Sequence, residues 1–178
     1  LAVLVDPDKT EDLDGFIKTM SDFPSLPDLF LVGGSLLSKP VSLTVQTLKT
    51  SLPVPVYLFP GEGMQVCPGA DGLLFLSLIS GRNADFLIGQ HVRSAMLIRE
   101  FGLQVLPTGY ILVRCGKMTS VEYMSNTRAI PADKTDIVVS TAVAGEMLGL
   151  QALYLEAGSG ADHPIPAEMI ENVRQQVQ

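Results

Sequence analysis

Short apolar runs alternate with amphipathic helical patterns along most of this 178-residue chain. None of the runs alternates apolar with polar residues, which indicates strands covered on both faces, as in a parallel sheet flanked by helices. The segments between them carry apolar residues three and four positions apart, which is the spacing of a helix face. This rhythm predicts an α/β fold. The apolar runs lie at residues 1–5, 29–32, 54–59, 73–76, 105–113 and 152–155.

Capping residues predict where several of the helices begin and end. Thr10 is expected to cap the first helix, and Thr135 or Asp136 a later one that runs to Gly149. A single long helix is expected over residues 83–100, closed by Gly102. Pro40 and Pro166 suit first helical positions. Inward faces are expected for Val41, Val45 and Leu48 in one helix, and for Met169, Ile170, Val173 and Val177 in the last.

Composition excludes several classes of function. The chain has 12 Lys and Arg against 19 Asp and Glu, a net charge of −7 that argues against a nucleic-acid-binding protein. Cys67 and Cys115 are too few for a disulfide scaffold. No apolar run approaches the roughly 20 residues of a transmembrane segment, and no secretory leader opens the chain. We therefore expect one domain over residues 1–178, without a membrane span, in the cytoplasm.

Polar and glycine-rich residues follow the predicted strands, where α/β folds concentrate their chemistry. Asp6 follows the first strand and Gly33-Gly34-Ser35 the second. The last strand ends in Glu156, followed by Ala157-Gly158-Ser159-Gly160. Successive glycines let backbone N–H groups approach an anion. The pattern indicates an anion-binding site at this edge of the sheet.

Asp6 has two possible roles. A carboxylate at a strand end can hold Mg²⁺ against phosphate oxygens, because Mg²⁺ needs only one or two protein carboxylates. Alternatively, Asp6-Pro7-Asp8 is a turn whose aspartates bind backbone groups. The spacing leaves both open.

Glu156 is the second candidate. Beside a glycine loop it can act as a general base, or it is a loop acid exposed to solvent. His91 and His163 have no partner at metal-ligand spacing, so a structural or exposed role is expected for both.

Nine motifs, in order along nearly the whole chain, resemble the geranylgeranylglyceryl phosphate synthase family. They are VLVDPDK (3–9), FLVGGSLL (30–37), LFPG (58–61), LFLSLISGRN (74–83), IGQH (88–91), PTGYIL (107–112), TSVEY (119–123), AGEMLG (144–149) and YLEAGSG (154–160).

The resemblance implies a TIM-like (β/α) barrel with parallel strands. Such enzymes transfer a geranylgeranyl or similar prenyl group from prenyl diphosphate to the sn-3 hydroxyl of sn-glycerol 1-phosphate, giving an ether lipid precursor. Asp6 and Ser35 match the Mg²⁺ positions of the family, and Glu156 and Tyr154 are the expected catalytic residues. A homo-oligomer is expected. The glycerol phosphate stretch matches Tyr154, Leu155, Glu156, Ala157, Gly158, Ser159 and Gly160.

The predicted strands number about six, whereas a closed barrel has eight. We therefore expect a chain that lacks the last two barrel strands. Two alternatives stay open: another phosphate-binding (β/α)-barrel enzyme, and a truncated, inactive barrel that acts as an assembly partner.

Overall fold

The computed structural model describes all 178 residues, which form two compact units. The first unit contains residues 1–74 and 92–105, and the second contains residues 75–91 and 106–178. Each unit is built from parallel strands and helices, as the sequence predicted. No helix combines the length and the apolar character needed to cross a membrane.

The first unit is built on parallel strands that pair in chain order. They are β1 (Ala2–Val5), β2 (Leu29–Val32), β3 (Val56–Leu58) and the start of β4 (Gly72–Leu78). In register, Val5 pairs with Val32, Val32 with Leu58, and Leu58 with Leu73. All four side chains are buried, because both faces of these strands are covered.

Helices α1 (Leu13–Ser21), α2 (Val41–Ser51) and most of α3 (Gln90–Glu100) belong to the same unit. The predicted cap Thr10 is wrong, because Asp12 is the N-cap and its carboxylate accepts the N–H of Gly15 at 2.8 Å. The predicted inward face of α2 is confirmed, since Val41, Val45 and Leu48 are all buried.

In the second unit β5 (Gln104–Arg114) lies between β6 (Ile130–Pro131) and β7 (Ala152–Glu156), parallel to both. Helices α4 (Ser120–Ser125), α5 (Thr135–Met147) and α6 (Ala167–Gln176) complete it. One hydrophobic cluster joins the strands to α5 and α6: Ile111, Val113, Cys115, Ile130, Val138, Ala142, Met169 and Val173. Leu153 and Leu155 pack against the same cluster. Because side chains alternate along a strand, Tyr154 and Glu156 lie on the other face of β7.

The second unit differs from expectation in several elements. The helix predicted over 83–100 starts with a π-helical turn, Asp85–Gly89. The Asp85 side chain folds over this wide turn, where a Cβ on Gly89 would lie 2.4 Å from its Oδ1, and it accepts a hydrogen bond from Gln90. Two-residue β6 is a seventh strand. On α6, Met169 and Val173 face inward, but Ile170 is 47% exposed and was wrongly placed in the core.

Gly33 is required by the close approach of two strands. A Cβ at this position would lie 1.9 Å from the carbonyl oxygen of Phe59, next to the hydrogen bond from the Phe59 N–H to the Val32 carbonyl at 2.8 Å.

Gly33→Ala is expected to lower the free energy of unfolding in urea by about 3 kcal/mol, because backbone atoms must separate. The control is Gly69→Ala, where a Cβ meets nothing within 4 Å and only the positive φ of +94° is strained, costing about 1 kcal/mol. Equal losses in the two variants would contradict this assignment.

Candidate active site

The carboxylate of Asp6 is fixed by a turn at the end of β1. Its Oδ1 accepts the N–H of Asp8 at 3.0 Å, and its carbonyl accepts the N–H groups of Lys9 and Thr10. The Nζ of Lys9 lies 3.0 Å from Asp6 Oδ2. The Asp6 side chain is 17% exposed. The turn interpretation is therefore correct for the backbone, and the turn also holds the carboxylate in one orientation at the strand end.

Asp8 joins this turn to the loop that follows β2. Its carboxylate accepts the N–H groups of Ser38 and Lys39 at 2.8 and 2.9 Å and the Ser38 hydroxyl at 3.1 Å. These hydrogen bonds hold the pKa of Asp8 below its ordinary value. These hydrogen bonds keep the two loops together, a contact that no local sequence pattern predicts.

The same arrangement brings Asp6 against the glycine pair after β2. A Cβ on Gly34 would lie 2.8 Å from Leu37 Cδ2 and 3.1 Å from Asp6 Oδ2, so glycine lets this segment approach the carboxylate closely. Ser35, the next residue, is exposed. The structure thus brings the Asp6 carboxylate to the segment that carries the Ser35 hydroxyl.

Asp6 and Ser35 both carry oxygen atoms, the ligand type that magnesium prefers. No group of three or more His, Cys, Asp or Glu side chains is arranged to hold a metal. Mg²⁺, however, binds through one or two carboxylates and completes its coordination with water and substrate phosphates. The Asp6 carboxylate and the Ser35 hydroxyl supply oxygen atoms of the kind that this coordination uses.

Glu156 ends β7 in the second unit and turns back onto its own loop. Its carboxylate accepts the N–H of Gly158. Gly158 and Gly160 have φ angles of +93° and +78°, a left-handed conformation that glycine adopts without strain. Such turns direct successive backbone N–H groups to one side, as anion-binding loops do.

Two tyrosines accompany Glu156. Tyr110 of β5 is in register with Tyr154 of β7, and their rings stack with centroids 5.6 Å apart and planes at 12°. Burial raises the pKa of Tyr110 far above its ordinary value, and the charge of Glu156 and a hydrogen bond to it raise it further. Burial, followed by the charge of Glu156, also raises the pKa of Tyr154. Both phenols therefore keep their protons at neutral pH.

Tyr110 was not among the predicted site residues. The sequence contains it in the PTGYIL motif, but only the register of β5 with β7 reveals that it faces Tyr154. In contrast, Leu155 and Ala157, both predicted to bind glycerol phosphate, pack their side chains against the hydrophobic cluster. Ser159 and Gly160 are exposed.

His91, Cys67 and Cys115 belong neither to the group of Asp6 and Ser35 nor to the group around Glu156. His91 is buried, with Nε2 3.1 Å from the Ser77 hydroxyl and its ring edge-on to Phe75. Burial lowers the pKa of His91, which favours the neutral ring. Cys67 and Cys115 are free thiols whose pKa values burial raises. These features are those of structural residues, not of nucleophiles.

Comparison with known proteins places this chain in a family. The model of the PcrB family matches residues 2–178. The chain is 51% identical to a geranylgeranylglyceryl phosphate synthase of Spirosoma linguale, over 99% of this chain and 71% of that protein. It is 48% identical to the protein of the same name from Chitinophaga pinensis, over 99% and 70% of the two chains.

Solved structures give the same result. The structure of wild-type GGGPS (geranylgeranylglyceryl phosphate synthase) from Thermoplasma volcanium aligns with this chain at a TM-score of 0.87 and 27% identity. The alignment covers 99% of this chain and 71% of that one. The synthase of Thermoplasma acidophilum, in complex with its substrate sn-glycerol-1-phosphate, has a TM-score of 0.87 at 25% identity, with coverage of 99% and 72%. These likenesses confirm the predicted fold class, a TIM-like (β/α) barrel with parallel strands. The resemblance of its motifs is confirmed as well, and the chain belongs to the PcrB family.

Proposed function

We propose that this protein is a prenyltransferase that moves a geranylgeranyl or similar prenyl group from prenyl diphosphate to sn-glycerol 1-phosphate. The observation that carries the proposal is the group at the end of β7, where Glu156 meets Tyr110 and the glycine loop. A carboxylate beside a glycine loop suits a small substrate that carries both a phosphate and a hydroxyl. The names of the relatives, and the sn-glycerol-1-phosphate bound by the Thermoplasma acidophilum synthase, support the same substrate.

In the proposed reaction the sn-3 hydroxyl oxygen of glycerol phosphate forms a bond to the allylic carbon of the prenyl chain. The bond from that carbon to diphosphate breaks, and diphosphate leaves with the electron pair. Glu156 accepts the hydroxyl proton as the ether forms. The phenol of Tyr110 and the N–H of Gly158 each donate to the Glu156 carboxylate, so they orient it before substrate arrives.

The other predicted residues have parts in the same proposal. The backbone of residues 157–160 would bind the phosphate of glycerol phosphate through N–H groups other than that of Gly158, which donates to Glu156. Tyr154 would position the substrate from its place beside Tyr110. Asp6 and Ser35 would hold Mg²⁺, which supplies positive charge against the diphosphate of the prenyl donor. A cytoplasmic location and a homo-oligomer stay predictions.

The direct test is product formation. The purified protein with Mg²⁺, sn-glycerol 1-phosphate and geranylgeranyl diphosphate is expected to release diphosphate and to form a prenyl ether. A coupled assay measures the diphosphate, and mass spectrometry identifies the ether. Omitting glycerol phosphate is the control for simple hydrolysis of the diphosphate. Absence of an ether product with prenyl diphosphates of every chain length would contradict the proposal.

A further inference from the structure

Thr119 carries a buried hydroxyl that makes no hydrogen bond in the folded chain. The residue is 7% exposed, and its Oγ1 has no hydrogen-bond partner. Thr119 occupies the N-cap position of α4, where a threonine hydroxyl usually accepts a backbone N–H, yet it makes no such bond. A buried hydroxyl without a partner destabilises a folded protein, so its presence calls for another explanation.

The unpartnered hydroxyl lies against the loop that follows Glu156. A Cβ on Gly158 would lie 2.4 Å from both Oγ1 and Cγ2 of Thr119, so the Thr119 side chain contacts the Gly158 backbone directly. The same Gly158 donates its N–H to the Glu156 carboxylate. Thr119 therefore contacts Gly158, the residue whose N–H holds the proposed general base, Glu156.

Contacts that do not involve this hydroxyl hold the two loops together. The carbonyl of Cys115 accepts the N–H groups of Asp162 and His163, both at 3.1 Å. The N–H of Lys117 donates to Asp162 Oδ2 at 3.0 Å. Backbone and carboxylate groups thus place the loop of Thr119 beside the loop of Gly158, and the hydroxyl is not needed for that.

We propose that the Thr119 hydroxyl is a binding residue for the phosphate of the substrate, and that it gains its hydrogen bond when the anion occupies the loop at residues 156–160. A hydroxyl beside this loop adds a neutral donor, and a phosphate offers several acceptor oxygens. Oγ1 is shielded from solvent by its neighbours, so the contact requires the backbone at Gly158 to shift. Glycine at 158 permits this shift because it has no side chain. The inference rests on the proposed function, since it takes glycerol phosphate as the ligand.

The test compares Thr119→Val, which keeps the shape and removes the hydroxyl, with Thr119→Ser, which keeps the hydroxyl. Binding of sn-glycerol 1-phosphate, and separately of inorganic phosphate, is measured by isothermal titration calorimetry without prenyl diphosphate. Thr119→Val is expected to raise the Kd for both ligands about tenfold, the effect of losing one hydrogen bond to a charged group. Thr119→Ser is expected to stay within about twofold of wild type. The Tm of the unliganded Thr119→Val protein is expected to equal or exceed that of wild type, because no unpartnered hydroxyl remains.

Thr141→Val is the matched control, because the Thr141 hydroxyl donates to the Ile137 carbonyl at 2.7 Å within α5 and should not affect either Kd. The inference is overturned if Thr119→Val binds both ligands like wild type, if its Tm falls below that of wild type, or if wild type binds neither ligand. Failure of the proposed function is seen separately, as a wild-type protein that binds glycerol phosphate but forms no ether.

Discussion

Replacing Glu156 with glutamine is expected to lower kcat for prenyl transfer by about 10² to 10⁴-fold, the usual contribution of a positioned general base. The amide keeps the size of the side chain and can still accept the N–H of Gly158, but it cannot take the proton of the attacking hydroxyl. The KM for glycerol phosphate should change little. Steady-state kinetics at saturating prenyl diphosphate measures both quantities.

Tyr110→Phe is the companion variant, because it removes one donor to Glu156 and leaves the carboxylate in place. Its kcat should fall by about tenfold, less than that of Glu156→Gln. If Glu156→Gln kept wild-type turnover, the carboxylate would be a loop acid, and the proton would have to leave by another route.

Asp6→Asn is expected to lower turnover at least about 100-fold, as the removal of a group that stabilises developing charge does in other enzymes. Asparagine still accepts the N–H of Asp8, so the turn should survive and the Tm should stay close to that of wild type. The loss of turnover therefore measures how much the negative charge of Asp6 contributes to the reaction. Turnover of Asp6→Asn and of wild type is measured over a range of Mg²⁺ concentrations, and a thermal melt gives the Tm of each protein.

Asp12→Asn serves as the matched control for this variant. Asp12 also binds a backbone N–H through its carboxylate, as the N-cap of α1, and asparagine caps a helix equally well. It should keep full turnover. Wild-type activity in Asp6→Asn would leave Asp6 as a turn residue without a part in the reaction.

The sequence predicted most of the fold because its strands are covered on both faces. Uninterrupted apolar runs such as that of β2 can only be buried strands or short buried helices, and the glycines and acids after them mark their ends. β6 was missed because two residues of strand carry no periodicity. The π-helical turn was missed because one widened turn of five residues leaves no mark in the apolar spacing from which the helix was predicted.

The candidate site was predicted only in part, for a similar reason. Asp6 and Glu156 stand directly after apolar strands, where position alone indicates chemistry. Tyr110 lies 44 positions before Tyr154, and the two meet only through the register of β5 and β7. The link from Asp8 to Ser38 spans 30 residues and likewise depends on two strands being neighbours. Local patterns contain no information on contacts of that kind.

The stacked pair of Tyr110 and Tyr154 gives the protein an optical reporter of its own. The chain has no tryptophan and only four tyrosines, so its ultraviolet emission comes from tyrosine alone, and two of the four stand at Glu156. A ligand that separates the two rings, or that replaces Glu156 as the partner of Tyr110, would change that emission. Occupancy of this end of the sheet can therefore be followed in the unlabelled wild-type protein, by fluorescence titration.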